Sequence, residues 1–475
     1  MRRPGCRISA PCSSGFMRAC PPRSSAFAPG CSLPPVCCSM SRGHSSAIDA
    51  AIALLIRVLG AGLVFGLQVL LARLLPGEGY GGYVTVWTWM LSLGSFAAMG
   101  FAESSVRFLP RYTQRHRLQA LFGYWQFGLA VVLIVGAAII AIALGIWLGA
   151  GLDGPLLTIV LVAFGLPVLG LEYYLEGIAR SMGWFRLAAV PVYILRPILI
   201  GGSCLGLSSA GVTLTLPIVG GVLIGCMGMI ALLLLGLVTR RLNRLAGGAR
   251  GASNKQRHLW LRASLPLLLL SGLEDLTSYS DILVLSLLSE PEVVGLYFAA
   301  ARTLALAGFV AYAMTLVSGH RFAMDLASSN RTELQSSILE ATRLTFWATL
   351  AAVGVTLLAA PWLLAAFGSD YLAGQPVMVV LGLGMVARAM SGQSAEALVV
   401  LGRQREGLLV ALGVVAVTVV GALALVPALG ALGAAIASAI AMACRTVALA
   451  VLLWQREGLK VLSLGAPVFL RHRAS

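Results

Sequence analysis

A chain of 475 residues that is 59% hydrophobic and only 11% charged, with a mean hydropathy of +0.90, carries more apolar side chain than a water-soluble globule buries. Apolar stretches of about twenty residues follow one another and match the roughly 30 Å hydrocarbon layer, where a helix satisfies its own backbone groups. The expected class is an all-α polytopic membrane protein, and the net charge of +16 has to be explained within it.

Residues 1–45 come first. Six of the nine cysteines (Cys6, Cys12, Cys20, Cys31, Cys37 and Cys38) crowd a Pro/Ser/Arg-rich leader, while Cys204, Cys226 and Cys444 stand singly in apolar segments. No Cys-x-x-Cys pair is present, so neither a zinc site nor a disulfide framework is indicated. The leader lacks the apolar centre of a signal peptide. Met40 opens a plausible start, MSRGHSSAIDAAIALLIRVLG, and the segment before it reads as a disordered tail or an over-extended start, the latter being preferred.

Twelve candidate spans follow, at roughly 48–71, 80–101, 121–149, 155–175, 186–207, 211–238, 262–287, 293–319, 342–367, 373–401, 406–426 and 430–453. Only the turn SSAG, Ser208 to Gly211, divides the fifth from the sixth, and no charge marks it. Of the 34 Lys and Arg, 28 precede the first span, follow the last or lie in even-numbered loops. By the positive-inside rule both termini and the even loops are cytoplasmic. The basic excess therefore encodes topology and attraction to anionic lipid, and nucleic acid is excluded as a partner.

The chain repeats itself. LLPGEGYGGYVTVW (Leu74 to Trp87) and LLSEPEVVGLYFA (Leu287 to Ala299) match at a step of 214, pairing Gly81 with Gly295 and Tyr83 with Tyr297. Arg107-Phe108 pairs with Arg321-Phe322 at the same step, Leu118-Gln119 with Leu334-Gln335 at 216, and EGIARSMG (Glu176 to Gly183) with EALVVLG (Glu396 to Gly402) at 219 or 220. Two like-oriented six-span lobes, 46–238 and 262–455, are expected, related by a parallel pseudo-two-fold axis with a substrate path between them. The basic, glycine-rich segment 239–261 is the linker and 456–475 a cytoplasmic tail.

Six arginines remain outside the basic flanks: Arg57, Arg73, Arg196, Arg302, Arg388 and Arg445. Arg73 sits at a periplasmic edge, and Arg445 is placed to snorkel to the cytoplasmic surface. The other four lie deeper and require a partner or a wet cavity. Pro191 and Pro197 flank Arg196 and predict a bend there. In the seventh span Ser271, Glu274, Ser278 and Asp281 recur on one helical face, while Asp275 lies about 100° off it. For Arg302 an ion pair with Asp281 or Glu274 and contact with substrate are both open. For Arg57, Arg196 and Arg388, to which no acid is assigned, contact with a phosphate or pyrophosphate is favoured. Glu274 and Asp281 are candidate ion-coupling sites. Gly62-x-x-x-Gly66 and Gly221-x-x-x-Gly225 read as close-packing motifs, and Tyr80, Tyr83, Trp87, Trp89 and Tyr297 as an interfacial belt, with sugar stacking as the alternative.

ARLLPGEGYGGY (Ala72 to Tyr83), VRFLPRY (Val106 to Tyr112), DILVLSLLSEPEVVGLYFAAAR (Asp281 to Arg302) and GALGAAIASAIA (Gly430 to Ala441) resemble polysaccharide exporters of the multidrug/oligosaccharidyl-lipid/polysaccharide (MOP) superfamily, of the O-antigen and teichoic-acid type. The resemblance covers nearly all of the chain after Ser45. It implies twelve helices in two lobes and the flipping of an undecaprenyl-pyrophosphate-linked oligosaccharide across the bacterial cytoplasmic membrane, without covalent chemistry. The partners expected are that lipid-linked sugar, membrane lipids and a glycan-synthesis machinery, with no cofactor. A polymerase or ligase would need a large periplasmic loop. ATP hydrolysis would need a Gly-Lys phosphate loop, and neither Lys255 nor Lys460 follows glycine. Cation-coupled drug efflux is the main rival and a non-catalytic scaffold the third reading.

Overall fold

The computed structural model describes residues 42–75, 77–150, 154–246, 254–309, 331–461 and the single positions 314, 318 and 322. The expectations for the leader, for the middle of the linker and for the last part of the tail lie outside them. The compact unit that carries the bundle is Ala50–Ser475.

The described elements are helical throughout. The first half of the chain gives α1 (Arg42–Leu74), α2 (Gly77–Ala97), α3 (Phe101–Gln114), α4 (Leu118–Ala150), α5 (Gly154–Ser181), α6 (Phe185–Val190), a π-turn at Pro191–Leu195, α7 (Arg196–Ser209) and α8 (Leu216–Ala246). The second half gives α9 (Asn254–Leu288), α10 (Pro291–Ala305), α11 (Arg331–Leu358), α12 (Ala360–Phe367), a 3-10 turn at Ser369–Gly374, α13 (Gln375–Ala389), α14 (Ser394–Val400), α15 (Gln404–Leu429) and α16 (Ala431–Glu457). Proline sits in the first turn of α7, α10, α12 and α13, where a helix has no intrahelical acceptor for the missing N–H. The fifth and sixth spans do separate, at a turn in which the Val212 N–H reaches back to the Leu207 carbonyl at 3.0 Å.

Among the described residues nine helices are long and apolar enough to cross a membrane, and ten if the bent pair α2–α3, meeting at 42°, forms one span. The seventh and eighth expected spans fall outside that set for plain reasons. The apolar stretch of α9 carries Glu274, Asp275 and Asp281, and the chain after α10 leaves the described residues. Lipid-facing stripes are visible where large apolar side chains stay exposed, as at Leu133, Ile134 and Ile142 of α4.

The repeat is structural. After α5 the Trp184 N–H bonds the Ala179 carbonyl at 2.8 Å, and after α14 the Arg403 N–H bonds the Leu398 carbonyl at 2.9 Å. Both turns pass through a glycine at φ +75°, Gly183 and Gly402, the left-handed geometry that closes a helix with a six-to-one hydrogen bond. The other repeated pair meets at the pseudo-axis. α2 packs on α10, and a methyl group on Gly81 would lie 1.7 Å from the Pro291 carbonyl oxygen, while one on Gly295 would lie 3.4 Å from Gly81 Cα. The duplicated hinge is thus a place where the two halves touch backbone to backbone. Arg73 adds a clasp, donating from Nε to the Ala366 carbonyl at 2.6 Å and from Nη2 to that of Ala365 at 3.0 Å.

Two expectations are overturned by this packing. Tyr80, Tyr83 and Tyr297 are fully buried at the contact, and Trp89 donates to Ser286 Oγ at 3.2 Å, so these aromatics seal the seam between the halves and form no interfacial belt. At Gly62, Gly66, Gly221 and Gly225 a methyl group would meet nothing within 4 Å; no helix approaches them, and the packing motif is not used.

Candidate functional site

Two seams run between the halves. α9 belongs to the second half through α15 and α16 and also packs on α2 and α3 of the first. Between α2, α3, α5 and α9 lies a cavity of about 190 Å³ into which Glu103, Glu176, Glu274 and Asp275 project, with Arg180 the one cation among its lining residues. Arg180 reaches Glu103 at 3.2 Å and Glu176 at 4.0 Å. The break between α2 and α3, at Met99 and Gly100 with φ of 54° and 68°, turns the start of α3 so that Glu103 enters this seam. Asp275, off the main face of α9, finds its partner in the hydroxyl of Ser95. No three of the carboxylates close into a metal-sized cluster among the described residues.

The second seam runs between α1 and α10. Here Gly60, Ala61 and Val64 of α1, Tyr193 of the π-turn, and Ala305, Gly308 and Phe309 enclose a cavity of about 390 Å³, to which Arg57 adds the cation. The Arg57 guanidinium stands 5.8 Å from the centroid of Tyr193. Close packing of α1 on the π-turn fixes that pair, since a methyl group on Gly60 would lie 2.7 Å from Tyr193 Cβ. Arg302, one turn before Ala305, lies 4.7 Å from the ring of Phe298 and 5.7 Å from that of Tyr279. An aromatic face attracts a guanidinium without neutralising it, and Arg302 has no carboxylate within 4 Å among the described residues.

The structure separates residues that the sequence grouped. Arg196 is buried and forms an ion pair with Glu172 of α5, beneath the ring of Trp87 at 5.8 Å. The expectation that no acid was assigned to it is overturned. Arg196 Nε and Glu172 Oε1 have no hydrogen-bond partner among the described residues. Where Pro191 and Pro197 predicted a bend, the helix carries a π-turn, a bulge frequent at functional sites. Asp281 forms no ion pair with Arg302. It accepts from Tyr297 Oη at 2.5 Å, Ser438 Oγ at 3.0 Å and the Ile282 N–H at 2.8 Å, tying together α9, α10 and α16. Glu274 and Ser271 reach the acidic seam, whereas Ser278 bonds back to the Glu274 carbonyl at 2.9 Å. Arg388 lies on α13, away from both cavities.

Glu172 and Glu176 are the residues that reading the sequence passed over. Both stand in LEYYLEG, inside an otherwise apolar span, and an acid at that depth was the signal that could have found them.

Membrane-length helices in two repeated halves, with charged side chains gathered at the seams between them, make this a multi-pass membrane protein whose fold is shared with solved structures of the MOP superfamily. An inward-facing multidrug resistance MATE transporter matches with a TM-score of 0.64 at 16% identity, over 86% of this chain and 98% of that one. The lipid II flippase MurJ, in an inward closed conformation, matches at 0.64 with 13% identity, over 85% and 87%. A MOP transporter from Pyrococcus furiosus, noted for the reverse polarity of its binding pocket, matches at 0.53 with 15% identity, over 86% and 95%. Residues 47–318, more than half of the chain, match the family described as polysaccharide biosynthesis protein, and the chain belongs to that family. No curated protein sequence matches it.

Proposed function

We propose that this protein flips a polyprenyl-diphosphate-linked oligosaccharide from the cytoplasmic to the outer leaflet of a bacterial cytoplasmic membrane, for surface polysaccharide assembly. The observation that carries the reading is Arg302: an interior guanidinium, held on two aromatic rings and left without a carboxylate among the described residues. A permanent charge at that depth costs several kcal/mol unless something answers it, and a phosphoryl group arriving with its carrier answers it. The α1–α10 seam supports the same reading, because its lining is apolar apart from Arg57 and Tyr193. A polyprenyl tail fits such a cleft while its head stays inside. Family membership and the likeness to a lipid II flippase point the same way.

The acidic seam favours a second role, coupling to a cation gradient, with Glu274 the candidate carried over from the sequence and Asp275 beside it. Cation-coupled efflux of drugs remains the rival on that side. A scaffold role leaves both seams without a purpose.

Reconstitution into liposomes with a fluorescent lipid-linked sugar tests the proposal. Arg302→Gln is expected to lower the flipping rate at least tenfold while insertion and folding persist. Glu274→Gln is expected to change the response to a proton or sodium gradient. Wild-type protein that accelerates no lipid-linked sugar, and that lowers the accumulation of cationic dyes, would replace this reading with drug efflux.

A further inference from the structure

Arg388 and Arg445 belong to neither seam cavity. On α13 the exposed apolar residues Val379 and Leu383 mark the lipid-facing side. At about 100° per residue, Arg388 points about 140° from Leu383 and about 180° from Val379. On α16 the exposed side is marked by Ile440, Val447, Val451 and Trp454, and Arg445 points about 140° from Ile440 and about 160° from Val447. Both arginines therefore face inward. Arg388 is nonetheless exposed and Arg445 half-buried, so the space they face is open.

The two helices hold these arginines side by side. A methyl group on Gly384 would lie 2.7 Å from Ala439 Cα, and Thr446 Oγ1 donates to the Ala387 carbonyl at 3.0 Å. Each arginine is thus next in sequence to a residue of that contact. Neither forms an ion pair among the described residues, and the formal charge bearing on Arg445 is the like charge of Arg388. The end of α13 offers Arg388 little relief, because its last carbonyls already accept from Thr446 and from the Met390, Ser391 and Gly392 amides.

Two comparisons within the chain show that the fold does not require this arrangement. Where an arginine is structural, at Arg196, the chain supplies Glu172. At the repeat-related positions of the first half, steps of 214 to 220 place Arg388 opposite 168–174 (VLGLEYY) and Arg445 opposite 225–231 (GCMGMIA), and neither segment holds a cation. Two guanidinium groups that face the same open space, with no counter-charge among the described residues, repel each other, and an anion with two negative charges between them turns that repulsion into attraction.

We propose that Arg388 and Arg445 form an anion-binding station on the inner wall of the second half, which takes a diphosphate group. That the anion is a diphosphate, and that a lipid-linked sugar supplies it, rests on the transport reading above; that the pair takes an anion does not.

Full-length protein in detergent is titrated with three probes: a polyprenyl diphosphate, inorganic diphosphate, and the uncharged polyprenol. Both diphosphates are expected to bind and the polyprenol to bind at least tenfold more weakly. Arg388→Gln and Arg445→Gln should each weaken diphosphate binding about tenfold or more. The double variant should lose less than the product of the two, because one anion is shared, and Arg445→Lys should fall between. Unliganded melting temperatures identify any variant that fails to fold, and the lysine variant then carries the test. Polyprenyl diphosphate bound equally by wild type and both glutamine variants overturns the station and leaves the transport reading standing. Inorganic diphosphate bound through both arginines, with no binding of the lipid form, supports the station and removes the transport reading. Neither diphosphate binding the wild type overturns the station.

Discussion

Glu172 and Arg196 stand on neighbouring spans and meet in the buried interior of the first half. Their pairing answers a desolvation cost that neither could bear alone. Replacing Glu172 with Gln leaves the guanidinium buried and uncompensated, and the expected loss is about 3–5 kcal/mol of stability, read as a lower midpoint in denaturant or heat for the solubilised protein. A Glu172→Leu/Arg196→Met double variant should recover most of that loss. Unimpaired stability in Glu172→Gln alone would mean that the pair is not buried in the membrane-embedded protein. The arginine itself was legible as a deep charge between two prolines. Its partner was not assigned, because spacing along one helix says nothing of which helix lies opposite. Asp281 was legible as a member of one helical face, but not the two hydroxyls, one from α10 and one from α16, that donate to its carboxylate. Arg403 shows the same logic at an exposed helix start, where hydrogen bonds to Glu457 and then Glu406 raise its pKa and clip the α14–α15 turn to the end of α16.

At the level of elements, the repeated hinge is the informative feature. Period and composition mark it as duplicated; the packing reveals why glycine is needed, since Gly81 lies against the Pro291 carbonyl with no room for a side chain. Gly81→Val should force the starts of α2 and α10 apart. Spin labels placed at those two helix starts are expected to report a longer and broader distance distribution than in the parent protein. Gly62→Ala, at a position with open space around it, should leave the distribution unchanged. An unaltered distribution in Gly81→Val would show that the two halves do not touch there. The breaks inside spans follow the same division. Pro191 and Pro197 announced a bend in the fifth span, but the sequence did not distinguish a kink from the π-turn that sets Tyr193 against Gly60.

Over the whole molecule, charge placement and repeat imply an orientation that the helices themselves do not carry. The cytoplasmic termini expected from the positive-inside rule would turn the sealed α2–α10 end outward and the acidic seam inward. In a cysteine-free background, Ser289→Cys should react with a membrane-impermeant thiol reagent added to intact cells, and Met182→Cys only after permeabilisation. The reverse pattern would invert the proposed direction of transport. The two seams also break the symmetry that the repeat implies. One is lined by four carboxylates and a single arginine, the other by apolar side chains with Arg57 and Tyr193. A duplicated scaffold has been given unlike walls.

The sequence by itself determined the class, the like orientation of the halves and the set of deep charges, because hydrophobicity, loop charge and internal period act locally along the chain and can be summed without knowing what touches what. Only the tertiary structure decided which of those charges neutralise one another and which are left facing open space. Whether a guanidinium is a strut or a binding group depends on the side chain presented by another helix at the same depth, and helix pairing is set by packing across the bundle, which no single segment records.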